Sequence, residues 1–472
     1  MNTRMLSWLT LPMLLFFTGC LGDGGGGGIG KGVGRNTIVY LADQDTNAVF
    51  ELYQAISGTK VNPALGVGQN VTSFAITPDR TAIIYIADQD IAGVFELYQV
   101  RLATPGVSTK LHPALAVGRG VTAFTLTPDG MSVVYVADQD TDDVIELYRT
   151  VLSTLANTKL NAALGIGEDV ADFKVIPNSS GVVYRADQNT DTVNELYQVA
   201  FSAPALSTRL NPGLPVGRNV SAEYAVTPNS SSVVYIADQD GAGINELFRV
   251  VFGVVGFSTK LNPNLALGQN VTSFEVVPNS ASVIYLADQD TIDIFELYRT
   301  VIVGAVNSKL SGTITGNEDV TAFAMIPDGS GVVYIADQDT DEIFELYRTL
   351  FAGGNAKLNA ALVAGGDVNA VQVIPDSTGV IYLADQDFDG VNELYRTIFG
   401  GANTKLNPAL PAGRAVSAFL VTPDSSGVVY RANQDTATIV ELYRALLSSA
   451  GTSTKLNTAL VVGEDVTDFT VR

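Results

Sequence analysis

Three residue types occur once each in the 472-residue chain: Trp8, Cys20 and His112. With no cysteine beyond position 20, a disulfide framework and a thiolate metal site are excluded for the rest of the chain. A lone histidine leaves little basis for hydrolase chemistry, which needs a positioned base. His112 sits in "KLHPAL" where other copies carry Asn62, Asn161 or Asn211, so it reads as a surface or turn substitution for asparagine. Basic residues are also scarce, 27 against 49 acidic, for a net charge of −22. That balance argues against nucleic acid, whose phosphates need a basic face, and against loose adhesion to anionic lipid. Charged partners are then expected to be cations or basic surfaces. No Gly-x-Ser-x-Gly elbow, zinc-ligand cluster or phosphate-cradling loop is present. Paired carboxylates of glycosidase type abound, but Trp8 lies too early to serve as a glycan platform. Together these absences predict a chain that is not an enzyme.

The front end accounts for two of the single residues. Arg4 is followed by "MLSWLTLPMLLFF" and then "TGC". A bilayer span needs about 20 apolar residues, so this run reads as a signal-peptide core. "FTGC", Phe17 to Cys20, resembles the bacterial lipobox, which implies a signal peptide over 1–19 and lipidation at Cys20. Leu21 rather than aspartate after the cysteine favours, by the same resemblance, the outer membrane. The glycine-rich stretch of 20–35 reads as a flexible tether with a reach of about 20 Å.

From Asn36 to Arg472 the chain repeats. The position that opens each "ADQD" falls at Asp43, Asp88, Asp138, Asp187, Asp238, Asp288, Asp337, Asp385 and, as asparagine, Asn433. The period is about 49 residues, within the range of propeller blades. Each unit holds four short stretches rich in Val, Thr, Tyr and Phe, separated by Pro-Asp-Gly, Asp-rich or Gly-containing turns, with no sustained helical period. From each "TK" cation to the next "V-[TSAN]" valine is always 11 residues, and from the "ADQD" opening to the "ELY" glutamate always 8. The variation lies between "ELY" and "TKL". One unit carries an extra residue within "SAEYAVTP", which predicts a β-bulge near Ala222–Glu223. The repeats open on a second strand, "NTIVYLAD", and close on a first strand, "VTDFTVR". The two fragments make one blade, as expected of a ring that closes itself and removes its edges. The sequence therefore predicts an all-β protein, a single nine-bladed propeller of four-stranded antiparallel blades; two smaller rings remain the alternative.

The repeat "TPDGMSVVYVADQD…ELYR" resembles that of TolB-type, WD40-like propellers, in which a Ser/Thr-Pro-Asp-Gly turn leads into an apolar strand ending at aspartate. It recurs at Thr127–Gly130, Pro327–Gly329, Pro375–Asp376 and Thr422–Asp424. The resemblance implies a non-catalytic bacterial cell-envelope lipoprotein that binds other proteins. The chain departs from TolB in lacking the preceding α/β domain, in its nine units and in its longer Asp-rich hairpin. TolB's own partners are therefore not carried over.

The hairpin poses the sharpest chemical question. "IYLADQDFDGVNELYRT" reads D-x-D-x-D-G-x-x-E, similar to the calcium hairpins of integrin-type propellers. Calcium takes six to eight oxygens, which alternating carboxylates around a sharp turn can bring together. The fullest candidate sets are Asp385, Asp387, Asp389 and Glu393; Asp138, Asp140, Asp142 and Glu146; and Asp337, Asp339, Asp341 and Glu345. Asp43, Asp45, Asn47 and Glu51, and Asp187, Asn189, Asp191 and Glu195, keep an oxygen at all four places. In the other loops Ala92, Ala242, Ile292 and Ala437 hold the fifth position, yet loop length and glutamate persist. Had calcium held the hairpin, lost ligands would be accompanied by lost loops. The preferred expectation is that the aspartates bond backbone amides in a tight turn and the glutamate faces the "TKL" lysine across two strands. No cofactor is then expected, with calcium the alternative. Hairpins and blade-to-blade connections share one propeller face, which also gathers Glu168–Asp169, Glu318–Asp319 and Glu464–Asp465. That face is expected to be strongly acidic and to receive a basic protein partner or cations. The opposite rim carries variable turns such as "VFGVVGFS".

Overall fold

The computed structural model describes residues 36–314 and 316–472. The expected signal peptide, Cys20 and tether lie outside these residues. Residues 36–472 form one compact unit. The described residues hold nine four-stranded antiparallel sheets and no helix. A representative blade runs Val71–Ile76, Ala82–Ala87, Glu96–Arg101, Ser108–Lys110, each strand paired with the next. The blades from this one onward, 2 to 9, begin at Val71, Val121, Val170, Val220, Val271, Val320, Val368 and Val416. Blade 1 takes Ile38–Ala42, Glu51–Gln54 and Thr59–Lys60 from one end of the repeat region and Val466–Val471 from the other. Ile38 pairs with Val471, and Thr37 and Arg472 exchange backbone bonds at 2.7 and 2.9 Å, so the ring closes without an open edge.

Successive first strands lie against one another, which makes them the inner strands. The second strands are largely apolar, Arg185 and Arg431 being the charged exceptions within their ladders, because both of their faces are covered by neighbouring blades. "AIIYIA" is buried at every position. Each core cluster joins two blades; Val39, Leu41 and Leu52 of blade 1 pack with Val71, Ile83 and Tyr85 of blade 2. Each such side chain contributes about 1.5–3 kcal/mol relative to leaving it in water. The tyrosines of second and third strands stack across the ladder, as Tyr40 on Tyr53 with centroids 5.6 Å apart.

The bulge expected at Ala222–Glu223 is present: Val220 pairs with Ala237 but Tyr224 with Tyr235. Every other inner strand also carries a one-residue bulge after its first valine, as between Val71 and Ser73. On the face away from the hairpins, the inner strand turns into the second through Thr-Pro-Asp or Pro-Asn-Ser corners. Ser179, Ser230, Ser280, Ser377 and Ser425 there adopt φ of 57 to 62°, a region that costs an L-residue about 1–2 kcal/mol. Their hydroxyls accept the amide of the preceding blade's corner, as Asp129 N–H to Ser179 Oγ at 3.1 Å, so the strained corners are stitched around the ring.

Candidate functional site

Each hairpin joins the second strand to the third, and four of its side chains have fixed work. The opening aspartate is buried and caps two loops at once. Asp385 Oδ1 accepts the Asp367 amide of the blade-to-blade connection at 2.5 Å, and Oδ2 accepts the Gly390 amide at 2.9 Å. Asp43, Asp187 and Asp337 do the same, Asp43 reaching across the ring closure to Asp465. Asp138 accepts the Gly120 amide. The residue five positions on is left-handed, whether Gly390 (φ 74°), Ala48 (62°), Asp143 (57°) or Glu342 (63°), so glycine is not required there. The glutamine of "DQD" accepts the hydroxyl of the second-strand tyrosine, as Tyr85 to Gln89 at 2.7 Å.

The third-position aspartate and the glutamate converge on one cation from the outer strand. Lys60 Nζ lies 2.9 Å from Asp45 Oδ2 and 2.5 Å from Glu51 Oε2. Asp140 and Glu146 hold Lys159, Asp339 and Glu345 hold Lys357, and Asp387 and Glu393 hold Lys405. The lysine-to-aspartate contacts span 2.7–3.1 Å over eight blades. In blade 4 the cation is Arg209, and Asn189 turns its amide toward Glu195 at 3.5 Å, so aspartate and lysine are replaced together. Each glutamate is buried and used again. Glu393 accepts the Tyr395 hydroxyl at 3.3 Å and the Leu410 amide at 2.8 Å. Burial pushes the Lys60 ammonium down, but its bonds to Glu51 and Asp45 outweigh this and its pKa rises. Burial, reinforced by the charge of Glu51, drives the Tyr53 hydroxyl far above its ordinary range.

The expected cross-strand glutamate–lysine pair is therefore present, and the side chains of the alternative, a calcium set, do not converge on one point. In the hairpin of Asp385, Asp387, Asp389 and Glu393 the first carboxylate faces amides, the second and fourth face an ammonium, and Asp389 points into solvent. Asp142, Asp341, Asn47 and Asp191 are likewise exposed; the Asp142 side chain is 65% exposed, 4.0 Å from Arg119 Nε. Among the described residues no three or more His, Cys, Asp or Glu side chains come together as a metal site. A calcium ion would have to displace the lysine, so the donors do not fit it.

His112 is the expected substitution for asparagine, but not at the surface. It is buried, 8% exposed, and not a surface residue. Its Nε2 accepts the Leu97 amide at 2.9 Å and its Nδ1 lies 2.7 Å from Pro113 O. Asn62 makes the same pair of bonds, to the Leu52 amide and Pro63 O. Donation from Leu97 places the proton on Nδ1, and burial lowers the imidazole pKa.

Polar groups within the blade interfaces escaped the sequence reading. The residue after the second-strand tyrosine is apolar in seven blades and arginine in two, Arg185 and Arg431, and that departure was the available signal. Arg185 holds Asp172 at 2.6 Å, with the buried Tyr224 hydroxyl close by. On the inner strands Glu275 accepts the Met325 amide of the next blade at 3.1 Å, and burial pushes its carboxyl up to about 7.

These observations define a closed nine-bladed β-propeller built from repeats. No family model matches the chain, and no curated protein does. Solved structures match at the level of the fold. Dipeptidyl peptidase 4 of Porphyromonas gingivalis matches 81% of this chain and 59% of its own at 10% identity, with a TM-score of 0.59. A puromycin-hydrolysing peptidase of Mycobacterium tuberculosis matches 77% of this chain and 57% of its own at 12% identity and a TM-score of 0.43. An oligogalacturonate lyase solved with manganese matches 81% of this chain and 98% of its own at 15% identity and a TM-score of 0.43. The chain spans less than two thirds of the length of these peptidases. The expectation that the chain is not an enzyme is corrected by the dipeptidyl peptidase 4 match. A peptidase contains this fold, so a propeller of this kind gives no ground for excluding catalysis. At these identities the likeness carries the fold alone.

Proposed function

We propose that the chain is a TolB-like cell-envelope lipoprotein, held to the outer membrane through Cys20, whose propeller serves as a scaffold that binds a basic protein on its hairpin face. One observation carries this reading: the cations of that face are consumed by the fold. Each outer-strand lysine is clamped by two carboxylates, and Arg119, Arg218 and Arg414 each donate to a backbone carbonyl. Each lysine box thus keeps one net negative charge, to which exposed carboxylates such as Asp142, Asp191, Asp341 and Asp389 add theirs. Such a field raises the on-rate of a basic partner and repels acidic ones. Fractionation of cells expressing the chain, with Cys20→Ser alongside, tests the anchor. Recovery of the parent chain in membranes and of the variant outside them is expected; a parent chain free of membranes sinks the envelope role. Crosslinking from Cys placed at Asp142 or Asp341 tests the face, and the expected adduct is a basic protein whose yield falls steeply with salt.

A further inference from the structure

The eight blade-to-blade connections whose residues are all described share one tight turn closed by an i to i+3 backbone bond, as Gln69 N–H to Gly66 O at 3.0 Å. Its third residue is a glycine at positive φ, such as Gly68 at 85°, Gly217 at 84° and Gly463 at 98°. This is type II geometry, in which only the glycine is demanded. The residue before it makes no demand on the turn and stands out into solvent. In six connections that residue is a large aliphatic: Val462, Val67, Val117, Ile166, Val216 and Leu267, from 77% to 96% exposed. In the next three it is Thr315, Ala364 and Ala412. Because blade 9 closes onto blade 1, the six are consecutive around the ring. They lie in one crescent over the connections 9–1 to 5–6, and Ala364 and Ala412 hold the same position in the arc beyond. Ala364 and Ala412 sit in the same turn, so the fold does not require the aliphatics of the other arc. Scattered exposed apolar residues need no account; six at equivalent positions in one unbroken arc do.

We propose that this crescent is the contact surface for a cationic, apolar-tipped protein partner, its aliphatics covered in the complex and its acidic hairpins pairing the partner's charges. The inference rests on the protein-binding role proposed above. Charge complementarity chooses the occupant. The hairpins behind the crescent carry net negative lysine boxes in blades 1, 2, 3, 5 and 6, together with Asp142, Asp143, Asp191 and Asp293. A second copy would set acid against acid, and an anionic bilayer would be repelled in the same way. Docking of aliphatic knobs inside a charged rim is the ordinary anatomy of a protein interface.

The test uses the purified full chain and two synthetic peptides of equal charge, one alternating lysine and leucine and one of lysine alone. Fluorescence anisotropy at low salt is expected to show the lysine–leucine peptide binding about 10-fold tighter than oligolysine. The variant Val117→Ser/Ile166→Ser/Val216→Ser, checked for an unchanged melt, is expected to abolish that gap while keeping oligolysine binding. Ala364→Ser/Ala412→Ser is expected to leave both unchanged. A gap that persists in the triple variant overturns the crescent and leaves the basic-partner role standing. Failure of both peptides to bind the parent chain overturns that role itself. Binding to phosphatidylcholine vesicles that the triple variant loses would make the crescent a lipid contact instead. A concentration-dependent dimer lost in the triple variant would make the occupant a second copy.

Discussion

The base and the tip of each hairpin lie within a few residues of each other and answer to different physics. At the base, Asp387 and Glu393 are fixed on Lys405, and Glu393 also serves Tyr395 and Leu410. Nothing there is free to vary alone, and blade 4 shows it, with Asn189 and Arg209 departing together. At the tip, Asp389, Asp142, Ala92 and Ile292 occupy one position with no consequence for the turn, because the side chain leaves the protein. The repeated motif is therefore consumed by folding, and individuality lies in residues that the fold leaves alone. The aliphatic crescent belongs to that second group.

Alkali should act on every hairpin base at once. The eight box lysines have raised pKa values, their bonds to the carboxylates outweighing burial, and the third-strand tyrosines are raised by burial and the adjacent glutamates. A raised folded pKa gives stability that is complete below the ordinary value, near 10.0 for tyrosine and 10.5 for lysine, and is lost above it. The whole ring is expected to unfold cooperatively in a pH titration above about 10, followed by circular dichroism. Next in size, Glu393→Ala leaves Lys405 to Asp387 alone, strands the Tyr395 hydroxyl and the Leu410 amide, and should cost about 3 kcal/mol in denaturant unfolding. Glu275→Gln should stabilise by about 3 kcal/mol at pH 8. Its carboxyl is raised from 4.5 to about 7, so its contribution is complete below pH 4.5 and lost by pH 7; the gain should therefore vanish at pH 4. Blade 8 supplies the template, since Gln372 accepts the Val421 amide at 3.0 Å and donates to Phe419 O at 3.1 Å. Smallest of all, Asp389→Ala should change stability by less than about 0.5 kcal/mol. A cost as large as that of Glu393→Ala would erase the distinction between base and tip.

Ring closure, blade count and the extra bulge at Ala222–Glu223 were legible because they appear as offsets or length differences between copies. The bulge after each first valine was invisible for the converse reason: every copy has it, so no length changes. The Glu51–Lys60 pair could be read from strand order, but the addition of Asp45 to the same ammonium could not. That depends on how far the hairpin folds back over the outer strand. His112 looked like a surface exchange for asparagine because sequence carries no burial. In the structure an imidazole fits because its two nitrogens match the oxygen and nitrogen of the amide. The crescent was missed because exposed aliphatics in a glycine turn resemble ordinary strand-edge residues until their exposure is known.

The central claim is that the repeated carboxylates are held by lysine and backbone amides. Calorimetric titration of the EDTA-treated chain with calcium, with a thermal melt at each end, tests it most directly. No binding heat and no shift in Tm are expected at millimolar calcium. Saturable uptake of several ions with a raised Tm, lost in Asp387→Asn/Asp389→Asn, would contradict it.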